Sequence, residues 1–268
     1  MPRRTRLDAE LVRRGLARSR EHAVALIAEG RVAVAGATAA KPATGVDPAT
    51  PVVVRTDPDQ PSWVSRGAHK LIGALDAFGV PAEGRRALDA GASTGGFTEV
   101  LLSRGASEVV AVDVGYGELA WSLRTDERVR VLERTNVRTL EPEQIGGAVD
   151  LVVADLSFIS LRLVLPALTA CATPDADLLP MVKPQFEVGR ERLGAGGVVR
   201  DPEHRVQAVV EVAAAAAALG WGAAAAVASP LPGPAGNVEF FLRLRRDAAP
   251  TGEAVEEMVR RAVDEGPR

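Results

Sequence analysis

The run Leu88-Asp89-Ala90-Gly91-Ala92-Ser93-Thr94-Gly95-Gly96-Phe97-Thr98 constrains the fold more than any other stretch of this chain. A strand that ends in an acid and turns through several glycines into a helix aims backbone N–H groups and a helix N-terminus at one point, and the glycines let a ligand come close to the backbone. Around this run, apolar stretches of strand length alternate with helical periodicity. Strands are predicted over 87–89, 109–113, 129–132, 151–155, 178–182 and 240–244. Helices are predicted from Phe97, Val100 and Leu101, over 161–171, and over 203–219. The alternation implies an α/β fold with a parallel sheet covered on both faces. The alanines of 213–218 fit the last helix, alanine being the best helix former.

An acid placed before the first glycine can accept a hydrogen bond from a ligand ammonium, and the turn lacks the regular G-x-G-x-x-G spacing of nicotinamide enzymes. The reading therefore favours S-adenosylmethionine, held by Asp89, Gly91, Ser93, Thr94, Gly95, Gly96 and Phe97. Asp113, 24 residues on (113 − 89), is expected to take the ribose hydroxyls and Asn136 the adenine, and Asp155, at the end of a neighbouring strand, is expected to be a further cofactor contact. Lys70, Asp155, Lys183 and Glu239 form a second set, three of them at or near predicted strand ends. In a parallel sheet such ends converge on one crevice. Each alone is more often a surface charge; together they supply the base and orienting charges that methyl transfer to a sugar hydroxyl requires.

Charge divides the chain. Residues 1–70 carry 12 Lys/Arg against 7 Asp/Glu, a net of +5, whereas residues 71–268 carry 20 against 28, a net of −8. A basic head on an acidic body suits a module that contacts phosphates. In the head, helical spacing runs from Leu7 to Arg14, Ser19 is placed to cap a second helix through Glu29, and strands are predicted over 31–34 and 51–54. Arg4, Arg6, Arg18 and Arg20 are the expected phosphate contacts, with Lys41 a weaker one. Arg13 and Arg14 stay open between that role and a solvated helix face. The expected division is a basic, phosphate-contacting domain at 1–58, a linker at 59–64 and a catalytic domain at 65–268. The single cysteine, Cys171, excludes an internal disulfide. No Cys/His cluster has metal-ligand spacing, so no metal is expected. The basic N-terminus meets Asp8 and Glu10 where a signal peptide needs apolar residues, and the longest alanine-rich run is broken by glycines and Trp221, so a cytoplasmic protein without a membrane span is expected. His69 and His204 are read as structural.

The pieces Ser65-Arg66-Gly67-Ala68-His69-Lys70-Leu71, Asp89 to Thr98, Asp113-Val114-Gly115-Tyr116-Gly117, Asp155-Leu156-Ser157-Phe158-Ile159-Ser160, Lys183-Pro184-Gln185-Phe186-Glu187 and Gly236-Asn237-Val238-Glu239-Phe240 together resemble the TlyA family. These are ribosomal RNA 2′-O-methyltransferases, also called hemolysins, with an FtsJ-like catalytic domain. The head is similar to the RNA-binding domain named after ribosomal protein S-four. The resemblance implies a Rossmann-like S-adenosylmethionine-dependent methyltransferase sheet behind a small α+β domain. It also implies a Lys-Asp-Lys-Glu tetrad on Lys70, Asp155, Lys183 and Glu239. In that scheme Lys183 accepts the 2′-hydroxyl proton or orients the hydroxyl, Asp155 and Glu239 hold Lys183, and Lys70 places the target nucleotide. Family members methylate cytidines of ribosomal RNA in ribosomal subunits. Those with a complete basic N-terminus act on both 16S and 23S RNA, and Arg3, Arg4 and Arg6 group this chain with them. Pro61-Ser62-Trp63 departs from the Arg-Ala-Trp of mycobacterial members. The rival readings are a pore-forming hemolysin, a catalytically inactive RNA-binding adaptor and a nicotinamide-linked oxidoreductase.

Overall fold

The computed structural model describes residues 5–17, 19–55, 63–250 and 252–267. The chain divides into two compact units, Met1–Ser62 and Trp63–Arg268. Residues 59–62 of the expected linker lie outside the described residues, whereas its last two, Trp63 and Val64, pack against the core of the second unit.

The first unit is α+β. It comprises β1 (Thr5–Arg6), α1 (Leu7–Arg13), α2 (Arg20–Ala28), β2 (Val32–Val34), β3 (Ala37–Thr38), β4 (Gly45–Val46) and β5 (Val52–Val54). Ser19 Oγ accepts from His22 N at 3.1 Å and so caps α2, as its position predicts. Leu7 and Leu11 of α1 meet Ala23, Leu26 and Ile27 of α2 and Val32 of β2 in one buried cluster. The antiparallel sheet has the order β3-β2-β5, and β1 pairs with β4. The two-residue strands β1, β3 and β4 are too short to leave a periodic signal.

The second unit holds a seven-stranded sheet. Its elements are α3 (Gly67–Phe78), β6 (Arg86–Ala90), α4 (Gly96–Ser103), β7 (Glu108–Val112), α5 (Trp121–Arg124), β8 (Val129–Leu132), β9 (Val149–Ala154), α6 (Leu165–Ala170), β10 (Ala172–Val182), α7 (Pro202–Ala218), β11 (Gly222–Ala228), β12 (Phe240–Arg245) and α8 (Gly252–Asp264). The strand order is β11-β12-β10-β9-β6-β7-β8. From β6 the chain builds outward through β7 to β8, then returns to place β9 on the other side of β6. This reversal makes the carboxyl ends of β6 and β9 the switch point at which open α/β sheets bind ligands.

Period-two alternation sorts the strand residues between two cores. Leu88, Ala90, Val110, Val112, Val152 and Ala154 join the cluster that includes α6, α7 and α8, while Ala87, Val109, Ala111, Leu151 and Val153 join the one under α3 and α4. Asp89 shares the parity of Ala87 and so faces α4.

The sheet is not wholly parallel. β12 runs antiparallel to both neighbours, with Val182 opposite Phe240 and Leu178 opposite Leu244. Alternation predicts a strand at 240–244 but carries no information about its direction. Strand β11 was hidden because four of its seven residues between Gly222 and Ala228 are consecutive alanines, poor strand formers. Helices α3 and α8 lie outside the helices that the sequence pattern predicts. The latter is strongly two-sided, and Val259, Ala262 and Val263 on its apolar side are buried in the core. No helix among the described residues is long and apolar enough to cross a membrane.

Candidate active site

The carboxyl edge of the sheet gathers the charged residues singled out above. Asp113 follows β7, Asp155 follows β9 and Lys183 follows β10. Because β12 is antiparallel, its start lies at this same edge, and Glu239, just before it, arrives beside the end of β10. Lys70 comes from the first turns of α3. The reversed strand thus brings the fourth member of the set to an edge the other strands reach with their ends.

Asp89 is completely buried in β6. Its Oδ2 accepts from Thr98 Oγ1 at 2.7 Å, and its Oδ1, among the described residues, has no hydrogen-bond partner. Burial pushes this carboxyl up to about 7; the Thr98 hydrogen bond opposes the shift, and the charges of Asp155 and Asp113 add to it. A buried oxygen without a partner is costly unless a donor meets it, so the site suits a cationic or hydroxylic ligand group. The glycine turn follows. Gly91 has φ +88, and a Cβ there would run into the Asp155 carbonyl. Gly95, φ +98, is the N-cap of α4, and a Cβ there would collide with Leu123. These two glycines are therefore required by the turn's own packing.

Other expected ligand contacts are partly engaged within the protein. Asp113 accepts from Ser93 N (2.8 Å, Oδ2) and from Gly115 N (2.7 Å, Oδ1), so it also ties the glycine turn to the next loop. Ser93, at φ +46, donates from Oγ to Glu118. Asn136 Oδ1 accepts from Arg138 N and caps a short turn. The ring of Phe97 is core, 6.0 Å from that of Phe241, so only its backbone is near the turn. Ser93 and Thr94 are exposed. Ser93, Asp113, Gly115, Glu118 and Glu133 line a small cleft beside the turn. A roomier, largely apolar cavity of about 540 Å³ lies elsewhere, among α7, β11 and the approach to α8, and none of these charged residues lines it.

The four tetrad residues form two pairs. Lys183 Nζ lies 2.6 Å from Asp155 Oδ1 and donates to Ser157 Oγ at 2.9 Å. Lys70 Nζ lies 2.6 Å from Glu239 Oε2, with the glutamate side chain 1 % exposed. The scheme in which Glu239 holds Lys183 is therefore replaced by one in which it holds Lys70. Both lysines are buried, and losing one partner of such a pair would strand the other's charge. Ser157 and Thr98 belong to the quoted motifs, but sequence assigned them no role, because their partners are distant in the chain.

The segment after Asp155 carries another feature that sequence left without a role. Phe158 is 91 % exposed and sits at φ +63, with its ring 5.3 Å from that of Phe186. Aromatic residues rarely adopt that backbone region. Glu187, buried, accepts from Ser160 Oγ (2.5 Å) and Leu161 N (2.7 Å) at the far end of the same segment.

In the first unit, Arg6 and Arg20 share one buried carboxylate: each lies 2.9 Å from Asp8 Oδ2 and remains more than half exposed. Arg13 and Arg14 both bind the buried Glu10, and Arg14 also donates to the carbonyls of Thr50 and Pro48. Arg14 is thereby a bracket within the fold. Lys41 is exposed. Arg4 and Arg18 lie outside the described residues.

Comparison with known proteins bears on both units. The model of the FtsJ-like methyltransferase family matches residues 63–246, and that of the S4 domain matches residues 5–52. The 16S/23S rRNA (cytidine-2′-O)-methyltransferase TlyA of Mycobacterium tuberculosis is 63 % identical over 269 residues, covering 100 % of both chains. The chain belongs to the TlyA family of FtsJ-like methyltransferases. The 23S rRNA (cytidine-2′-O)-methyltransferase TlyA of Campylobacter jejuni is 38 % identical over 67 % of this chain and 69 % of its own. A solved structure from Streptococcus thermophilus that bears the hemolysin name superimposes with a TM-score of 0.76 at 36 % identity, covering 99 % of this chain and 98 % of that one. The expected α/β architecture with an N-terminal S4 domain is thus borne out, with the antiparallel β12 as its correction.

Proposed function

We propose that this methyltransferase transfers a methyl group from S-adenosylmethionine to the 2′-hydroxyl of cytidines in the ribosomal RNA of both subunits, in the cytoplasm. In this reading residues 1–58 dock the RNA, with Arg4, Arg6, Arg18, Arg20 and Lys41 at phosphates, and residues 65–268 carry out the chemistry. The observation that carries it is the pair of lysine–carboxylate couples at one sheet edge, Lys183–Asp155 and Lys70–Glu239, each with its lysine buried, in a chain so similar to a named 16S/23S rRNA methyltransferase.

The residues present fit S-adenosylmethionine. The unpartnered Oδ1 of Asp89 suits the ligand's ammonium, the backbone of Gly91 to Gly96 its close approach, and Asp113 its ribose. When bound, it supplies an electrophilic methyl group on a sulfonium centre. Lys183 Nζ is the group on this edge suited to hold or receive the 2′-hydroxyl proton, and Asp155 and Ser157 aim it. Glu239 keeps Lys70 in place, and Lys70 adds a positive charge against the phosphates of the target nucleotide. The exposed ring of Phe158 provides a face on which a base taken out of its stack rests.

Incubating the purified protein with methyl-labelled S-adenosylmethionine and isolated small and large ribosomal subunits tests this reading. Label on cytidine 2′-oxygens of both RNAs is expected; label on a base, or none, contradicts it.

A further inference from the structure

The 155–161 segment is gripped at both ends by residues flanking one short turn. At its start, Asp155 and Ser157 are held by Lys183 Nζ, and Asp155 N donates to Ala90 O at 3.0 Å. At its end, Ser160 Oγ donates to Glu187 Oε2 and Leu161 N donates to Glu187 Oε1. Lys183 and Glu187 bracket the 3₁₀ turn Pro184–Phe186, and Phe186 supplies the ring beside Phe158. Between the two grips stands Phe158, exposed and in the left-handed backbone region. A conformation of that kind persists only where its surroundings over-determine it.

We infer that Glu187 is a positioning residue for RNA methylation: its carboxylate clamps the end of the 155–161 segment and thereby presents the Phe158 ring to the target nucleotide. The inference rests on the reading of this unit as an RNA ribose methyltransferase. Glu187 itself is buried and touches no substrate; it acts through Ser160, Leu161 and the strained backbone they fix. Burial raises the affinity of its carboxyl for a proton, and the Ser160 and Leu161 hydrogen bonds counter this. Arg162 stands on the outer side, its Nε 3.4 Å from Glu187 Oε2 and its Nη1 3.1 Å from Glu211.

A double-mutant cycle separates positioning from mere stability. Glu187→Ala, Phe158→Ala and the double variant are compared for kcat/KM on ribosomal subunits, for calorimetric affinity for S-adenosylmethionine and for thermal midpoint. Glu187→Ala is expected to lower kcat/KM by about tenfold or more with cofactor affinity unchanged, and to cost less than about twofold once Phe158 is already alanine. Glu187→Gln, whose amide can accept from Leu161 N and donate to Ser160 Oγ, should stay within about threefold of the parent. Should Glu187→Ala fail to fold, Ser160→Ala removes one arm of the clamp without unpairing a buried charge and enters the same cycle. Equal losses in both backgrounds, a Gln variant as impaired as the Ala variant, or a parallel fall in cofactor affinity would overturn the assignment. An inactive parent protein would instead refute the methyltransferase reading on which it rests.

Discussion

Asp89 answers to two opposing demands, a buried position that favours its neutral form and an orphaned oxygen that favours a cationic partner. Its folded pKa of about 7 lies above its ordinary value of 3.8, so between those pH values the folded chain keeps a proton that the unfolded chain has lost. Ionisation of Asp89 therefore erodes stability as pH rises from about 4 to about 7, and no such penalty exists below that window. A ligand ammonium reverses the preference, so cofactor binding should strengthen with pH up to about 7 and then level off. Asp89→Asn is expected to weaken calorimetric binding of S-adenosylmethionine by at least about tenfold and to abolish that pH slope. A variant that binds with the parent's affinity and slope would show that the oxygen has no part in the ligand site. The acid before the glycines was legible in the sequence because local order alone aims it. The Thr98 partner, and the exchange by which Glu239 holds Lys70 instead of Lys183, were not, because tertiary packing makes those contacts.

Strands β6 and β9 meet so closely at their carboxyl ends that position 91 admits no side chain. Gly91→Ala forces a residue with a Cβ to φ +88 and into the Asp155 carbonyl, and should lower stability by about 1–3 kcal/mol, a fall of several degrees in thermal midpoint, even without ligand. An unchanged midpoint would mean that the turn relaxes freely and that this glycine serves the ligand alone. Most strands were readable because β6, β7, β9 and the inner half of β10 are near-continuous apolar runs buried on both faces. The elements that escaped did so for physical reasons. Alanine in β11 reads as helix, and the direction of β12 depends on where the preceding turn delivers the chain.

The molecule joins a basic S4 unit to an acidic catalytic one, and only the first has the charge balance of a phosphate-binding module. Because Asp8 already anchors Arg6 and Arg20, glutamate at either position would set two carboxylates against each other and confound folding with binding. The double variant Arg20→Gln, Lys41→Gln avoids this. It should weaken RNA affinity, reduce the slope of log K against log salt by about one unit per lost phosphate contact, and leave S-adenosylmethionine affinity unchanged. An unaltered salt slope would place the docking surface elsewhere. Lys183 is the residue that the fold buries, pairs with Asp155 and places at the shared edge. Lys183→Met removes the nitrogen while keeping length and most of the packing, so the decisive measurement is single-turnover 2′-O-methylation of ribosomal subunits by this variant. A loss of at least about a hundredfold with cofactor and RNA binding intact is expected, and turnover equal to the parent's would contradict a role for Lys183 in the methyl transfer.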